Sequence, residues 1–259
     1  MLFPAPSIQE VMVALLILLR VSALIIFLPV LGHRLVPPPV KAGLIVMIVL
    51  LLYPVVEPHV PIITPEPLVL MLFAIQELLF AGMLALLASL IFASVQFAGQ
   101  VMSFQMGMSI ANVLDPITSS QGAITAQLAS ILAMLLWLAT NSHHMFLLAL
   151  VDSFQRFPIG QAWSVHAWSL LNDAAAHMFV LALKLVAPVL LLLFFVNVAL
   201  GLISRAVPQI QVFFVSFPLT VGLGLFAFAL ALPALIALTH DAFIALGQSL
   251  PSLMRALHG

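Results

Sequence analysis

The sequence predicts an all-α, membrane-associated protein, and three observations carry that prediction. The first is composition: of 259 residues, 64% are hydrophobic and 6% charged. Globular domains in water carry about a quarter charged residues, so this chain must hide its apolar side chains in lipid, against partners, or both. The second is a series of six apolar runs near the ~20 residues that a helix needs to cross a bilayer core. The third is punctuation by proline-rich breaks, GHRLVPPPVK and EPHVPIITPEP among them. Nowhere do apolar and polar residues alternate in the roughly ten-residue segments of a membrane barrel.

The first run, Ile8 to Leu31, has no Lys or Arg ahead of it. That argues against a cleaved secretory leader, whose opening segment is normally basic. Gly32 to Lys41 is a tight turn, because three consecutive prolines cannot continue a helix. Val40 to Val56 forms the second run, and Glu57 to Pro67 adds an acidic, proline-rich turn. By the positive-inside rule, Arg34 and Lys41 place the first turn in the cytoplasm and the acidic turn outside. Beyond these, Arg156, Arg205 and Arg255 are too scattered to orient the later runs.

Leu68 to Ala98 and Ala174 to Ile203 are oversized, each about 30 residues or roughly 45 Å as a helix. Tilt absorbs part of that excess; otherwise these are not simple lipid-embedded helices. Ala123 to Leu150 carries an interruption, and Val212 to Leu238 closes the series. No internal repeat or separate soluble domain is visible, so residues 1–259 read as one domain.

Several function classes are excluded by what is missing. Without cysteine there is no disulfide, thiol nucleophile or thiolate metal site. A net charge of −1 gives no basic footprint for nucleic acid. No phosphate-binding G-x-x-x-x-G-K-[ST], zinc-protease H-E-x-x-H or hydrolase G-x-S-x-G motif occurs. The expectation is a protein that is not an enzyme and takes no metal or cofactor. His143 and His144 are adjacent and diverge on a helix, whereas zinc ligands favour wider spacings. Asn197 is read as a polar contact between helices, and Pro188 as a bend or the end of a half-helix.

Two groups of residues remain as candidates. In GQVMSFQMGMSIANVLDP, Gly99, Ser103, Gly107 and Ala111 recur every fourth residue and form a near-line of small side chains for close helix packing. Met102, Met106, Met108 and Ile110 occupy the other faces, and flexible methionines suit a deformable constriction. The residues leave both readings open. Arg20, Glu77 and Lys184 are ionisable groups inside apolar runs, where charge is expensive and faces protein or a wet cavity. Glu77 and Lys184 occupy the two oversized runs, and the sequence leaves open whether they meet; these charges read either as a structural ion pair or polar anchor, or as a proton relay or substrate pathway.

The stretch Ser204 to Leu219, SRAVPQIQVFFVSFPL, is half polar and half greasy. It resembles the R subunit of the flagellar type III export gate (the FliR/SpaR/YscT family). LLRVSALIIFLPVLG with VPPPVKAGL, QELLFAGMLAL, AGQVMSFQMGMSIANVLDP, NSHHMF, DSFQRFPIG and APVLLLLFFVNVALGLISR follow in the family's order. Gln211 stands where Asn is common in that family, and Ser142 where Gly is common.

The resemblance implies helical hairpins with broken, bent helices inside a pseudo-symmetric export-gate complex in the bacterial inner membrane, at the flagellar basal body. It implies a P-like part, about 1–173, fused to a Q-like part, about 174–259. The implied partners are P-type and Q-type subunits, the export switch protein and the large export-gate component, with unfolded flagellar proteins as cargo. It also implies that the segment from Met106 to Gln121 plugs the pore, through Met106, Met108, Ile110 and Val113. Arg205, Pro208, Gln209, Phe213 and Phe217 become the subunit interface, with Pro208 stopping a helix. The flagellar branch fits better than the virulence branch, and a secondary small-solute transporter is the more distant alternative.

Overall fold

The structure, a computed structural model, describes residues 7–34, 36–56, 60, 65–108, 124–160, 167–206 and 212–258. Among these the regular elements are α1 (Ile8–Phe27), α2 (Pro38–Val56), α3 (Pro67–Gln105), α4 (Ile124–Ala139), α5 (Ser142–Arg156), α6 (Ala167–Ala206) and α7 (Val212–His258). No strand occurs among the described residues. Five of the helices are long and apolar enough to cross a membrane, and a sixth span arises if the bent pair α4–α5 is counted as one.

Local chemistry sets several boundaries. Ser7 caps α1 reciprocally: its hydroxyl accepts from the Glu10 N–H at 3.2 Å, while the Glu10 carboxylate accepts from the Ser7 N–H at 3.1 Å. The triple proline works in the direction opposite to a helix stop. Pro38 and Pro39 form the first turn of α2, where the missing N–H groups have no helical acceptor in any case. The preceding turn is tied by Lys41, whose Nζ donates to the Gly32 carbonyl at 2.8 Å. A Cβ on Gly32 would collide with the Ile26 and Leu28 carbonyls, so the turn needs glycine there. Between α4 and α5 the axis bends by 63°. Asn141 makes the corner at φ 53°, a left-handed conformation that asparagine tolerates better than most residues.

Several boundaries differ from the sequence expectation: α1 stops at Phe27 rather than Leu31, and α6 runs from Ala167 to Ala206 rather than from Ala174 to Ile203. α3 extends past Ala98 to Gln105, and α7 past Leu238 to His258. Polar residues such as Gln100, Ser103, His240 and Asp241 end the apolar pattern there but leave backbone hydrogen bonding unaffected. Of the two readings of Pro188, a bend or the end of a half-helix, the second falls away, because α6 continues through it to Ala206. Proline removes one helical hydrogen bond, and a long apolar helix retains the others where no water competes for them.

The chain forms two compact units, one of Met1–Ser89, Asn141–Ala174 and Ala245–Gly259, the other of Leu90–Thr140 and Ala175–Ile244. In the first, Val13, Leu16, Ile17, Val21 and Leu24 make the buried stripe of α1, joined by Phe80 and Leu84 of α3 and Phe146, Leu150 and Phe154 of α5. In the second, Ala126, Ala129, Ala133 and Trp137 form one face of α4. There Phe92 lies between Trp137 and Phe243, with ring centroids 6.4 and 5.2 Å away.

Burial is uneven between helices. The apolar span of α3 is 61% buried, but those of α6 and α7 are only 28% buried and that of α2 17%. Leu50 and Leu51 on α2, Phe195 and Leu202 on α6 and Leu230 on α7 are all exposed. Faces this apolar require lipid or other protein chains against them.

The corner between α4 and α5 gives a first prediction. Asn141→Val forces a β-branched residue into the left-handed region, at a cost of roughly 1–2 kcal/mol, whereas Asn141→Gly is close to neutral. Thermal unfolding of the purified variants in detergent checks the order: wild type and Gly together, Val clearly lower.

Candidate functional site

Arg20 lies on the same helical stripe as Val13, Leu16, Ile17 and Leu24 and is fully buried, as is Glu77 of α3. Its guanidinium faces the carboxylate in a two-pronged contact: Nε donates to Glu77 Oε2, and Nη2 donates to Oε1 at 2.9 Å. Nη1 and Nη2 both donate to the Phe157 carbonyl at 3.1 Å, and Nη1 also donates to Ser153 Oγ at 3.1 Å. These contacts use all the N–H donors that a guanidinium possesses. The Ser153 hydroxyl in turn donates to the Leu150 carbonyl at 2.6 Å. Phe80 and Phe154 lie 4.8 and 4.3 Å from the guanidinium carbon, and Phe80 stacks on Phe157 at 4.9 Å. Aromatic faces favour the cation once water is excluded.

This cluster answers a pairing that the sequence left open. Glu77 is held by Arg20, and Lys184 is an exposed residue of α6 rather than a buried charge. The physical reason is geometric: a planar guanidinium matches both carboxylate oxygens at once, whereas an ammonium is a point charge. With its donors consumed and its carboxylate neutralised, the pair is built as a structural clasp and offers no open relay position. Ser153, Phe80, Phe154 and the Phe157 carbonyl went unrecognised in the sequence. Two of them are ordinary apolar residues, and a main-chain carbonyl has no sequence signature.

The second constellation surrounds the C-terminal end of α3. Gly99 is the point of closest approach to α4: a Cβ there would lie 2.5 Å from Ala126 Cα and 2.9 Å from its nitrogen. Thr125 donates its hydroxyl to the Gly99 carbonyl at 2.8 Å. Ser103 is buried one turn further on. Gly107 is no longer on a helix face, so the expected line of four small residues breaks there. It adopts φ 79°, its N–H donates to the Phe104 carbonyl at 3.0 Å and the Met108 N–H to the Ser103 carbonyl at 3.1 Å. That is the glycine-capped helix end in which two orphan carbonyls are satisfied by the turn itself.

Met106 is fully buried at this end. Its carbonyl accepts a hydrogen bond from the Thr220 hydroxyl of α7 at 3.2 Å, a proton that Thr220 shares with its own Phe217 carbonyl at 3.1 Å. One turn along α7, Gly224 leaves room for the methionine: a Cβ there would come within 2.5 Å of Met106 Cγ and 3.0 Å of its sulfur. Met108 is partly buried. Ile110, Ala111 and Val113 lie outside the described residues.

Of the joint between α6 and α7, Arg205 is exposed in the last turn of α6 and Phe217 is 38% exposed on α7. Pro208 and Gln209 lie outside the described residues, as does the side chain of Phe213. No cluster of three His, Asp or Glu placed to hold a metal ion occurs among the described residues.

A family model described as "Bacterial export proteins, family 1" matches residues 11–246. The chain is similar to the flagellar biosynthetic protein FliR of Escherichia coli (strain K12), at 35% identity over 87% of this chain and 86% of that protein. It is also 32% identical to the FliR of Bacillus subtilis (strain 168), over 88% of this chain and 89% of the relative. The FliR of Caulobacter vibrioides is 32% identical over 90% of this chain and 94% of its own length.

Removing one member of the buried pair should leave the other uncompensated. Arg20→Met is expected to cost about 3–5 kcal/mol, and Arg20→Met combined with Glu77→Leu to recover most of it. Lys184→Met, at an exposed position, should shift stability by no more than about 0.5 kcal/mol. Folded yield and thermal midpoint in detergent report all three.

Proposed function

The chain belongs to the bacterial export proteins, family 1, and to its flagellar FliR branch, and from that premise we propose how it works. It is a structural, pore-lining subunit of the flagellar type III export gate in the bacterial inner membrane, at the base of the flagellum. It assembles with P-type and Q-type subunits beside the export switch protein and the large export-gate component. Together they conduct unfolded flagellar proteins out of the cytoplasm. Its own division into a P-like part, about 1–173, and a Q-like part, about 174–259, lets one chain occupy two subunit positions.

The observation that carries the reading is the distribution of apolar surface. α6 and α7 are long enough to cross a bilayer and yet bury little of that span within the chain. A solitary carrier needs a closed interior, whereas a subunit supplies faces for neighbours to cover. The charge cluster supports the same conclusion. The small-solute transporter reading places Glu77 in a coupling site, and Glu77 is instead engaged with Arg20.

Closure of the pore is assigned to the segment beginning at Met106 and continuing through Met108, Ile110 and Val113. Support comes from the family's G-Q…Q-M-G-x-S…D-P pattern, which this chain matches from Gly99 to Pro116, and from the fixed helix end at which the segment starts. Arg205, Pro208, Gln209, Phe213 and Phe217 are assigned to the interface with neighbouring subunits.

Two outcomes check these assignments. Purification from cells co-expressing this chain with its genomic P-type and Q-type neighbours should yield a discrete complex with one copy of this chain by native mass spectrometry. A stable solitary monomer or homodimer would overturn the assignment and revive the transporter reading. Deletion of Ile110 to Val113 should make cells carrying the assembled complex leak potassium while the complex still forms. Unchanged permeability would remove the closing role from this segment.

A further inference from the structure

Between Lys184 and Arg205, α6 carries one polar side chain other than Ser204, and it is Asn197. The Ser204 hydroxyl is spent within its own helix, where it donates to the Gly201 carbonyl at 2.8 Å. Asn197 is exposed and has no hydrogen-bond partner among the described residues. The polar contact between helices that the sequence suggests for Asn197 is therefore not made among the described residues of this chain.

Its surroundings are apolar in both directions along the helix. Phe194, Phe195 and Val198 are exposed beside it. Arg205 lies eight residues further on and Lys184 thirteen residues back, about 12 and 20 Å along the axis. Long basic side chains near the ends of a span stretch their charge to the headgroup level. An asparagine amide stands on a single methylene and cannot. Acyl chains offer it no hydrogen-bond partner, and an unpaired amide in hydrocarbon is costly. Lipid is thus the wrong cover for this edge of α6.

Gly201 makes the same edge approachable. It lies one turn beyond Asn197 on the same helix face, it is exposed, and a Cβ there would meet nothing within 4 Å. Helix junctions inside the second unit are made of the same two parts. Gly99 admits the α4 backbone while Thr125 donates to its carbonyl, and Gly224 admits Met106 while Thr220 donates to the Met106 carbonyl. A small residue for close approach beside a hydrogen-bonding side chain is how helices associate in membranes. At Asn197 and Gly201 both parts are present and uncovered.

We propose that Asn197 and Gly201 are the docking point for an apolar helix of a neighbouring subunit, which sets a hydroxyl, amide or main-chain carbonyl opposite the Asn197 side chain. Phe194, one turn earlier on the same face, flanks the contact. The inference rests on the reading of this chain as one subunit among several. It goes beyond that reading by placing a contact at bilayer depth on α6, separate from the residues assigned to the joint between α6 and α7.

Photo-crosslinking in cells that co-express this chain with its genomic P-type and Q-type neighbours reads the contact directly. Phe194 is replaced by benzoylphenylalanine, a photoreactive analogue, and the membranes are irradiated. The expected result is a covalent adduct between this chain and a neighbouring subunit. An assembled complex whose adducts are with lipid alone, or with a second copy of this chain, would overturn the docking point and leave the subunit reading standing. Failure of the unsubstituted chain to enter any complex would remove both. Asn197→Leu and Gly201→Leu give an independent test if the photoreactive chain does not assemble. Each should lower the recovered complex at least threefold, while the thermal midpoint of the solitary chain in detergent stays at the wild-type value. Either variant assembling as well as wild type, or melting lower as a solitary chain, would overturn the proposal.

Discussion

Water is scarce around this chain, so every polar group placed inside it must find its partner within the protein. The Arg20 cluster shows that constraint in full. A buried guanidinium left with even one unused donor would be costly, and here each donor meets an acceptor. Satisfying them fixes more than a pair of side chains. The Phe157 carbonyl is available because α5 ends at Arg156, and the Phe157 N–H closes that end by donating to Ser153 at 2.7 Å. Ser153 must face inward at the same time. One charge thus sets the relative placement of α1, α3 and the end of α5 within the first unit, and the rings of Phe80 and Phe154 fill the remaining space around the cation.

The second unit obeys the same constraint by different means. It contains no comparable charge among its described buried residues, and its fixed points are main-chain carbonyls met by threonine hydroxyls at positions where glycine removes the obstacle of a Cβ. Thr125 with Gly99 and Thr220 with Gly224 are two versions of one device: a small residue for approach and a hydroxyl that donates to a main-chain carbonyl. Hydroxyl bonds of this kind bind helices together where no hydrophobic drive separates a helix from its surroundings. Both lie toward the C-terminal end of α3, the place from which the closing segment is proposed to act.

What the chain leaves open is as informative as what it closes. α2, α6 and α7 present broad apolar faces, and nothing in their sequences lowers the cost of exposing them to water. A protein of the bacterial export family, working as one subunit among several, converts that liability into assembly surface. The isolated fold is in this sense unfinished. Its buried guanidinium is fully engaged within the first unit, while its broad apolar faces call for lipid or neighbouring chains.

The helical class, the six apolar runs and the break before α5 were legible in the sequence, because helix length and hydropathy depend on local composition. The buried position of Arg20 was legible too, since it shares a period with Val13, Leu16, Ile17 and Leu24. Family membership was legible in the long patterns around Gly99 to Pro116 and Ser204 to Leu219. Which charge Glu77 meets was not, because residues 20 and 77 are brought together only by packing and no local pattern prefers Arg20 over Lys184. Nor could a spacing of four reveal that Gly107 is a helix cap, as the same residue serves a groove inside a helix and a turn just beyond it. The seat for Met106 lies still further from view: a threonine and a glycine on α7, more than a hundred residues downstream. Local sequence determined the elements and the family; only the tertiary structure decided which polar groups meet, since that choice is made by distances between segments remote in the chain.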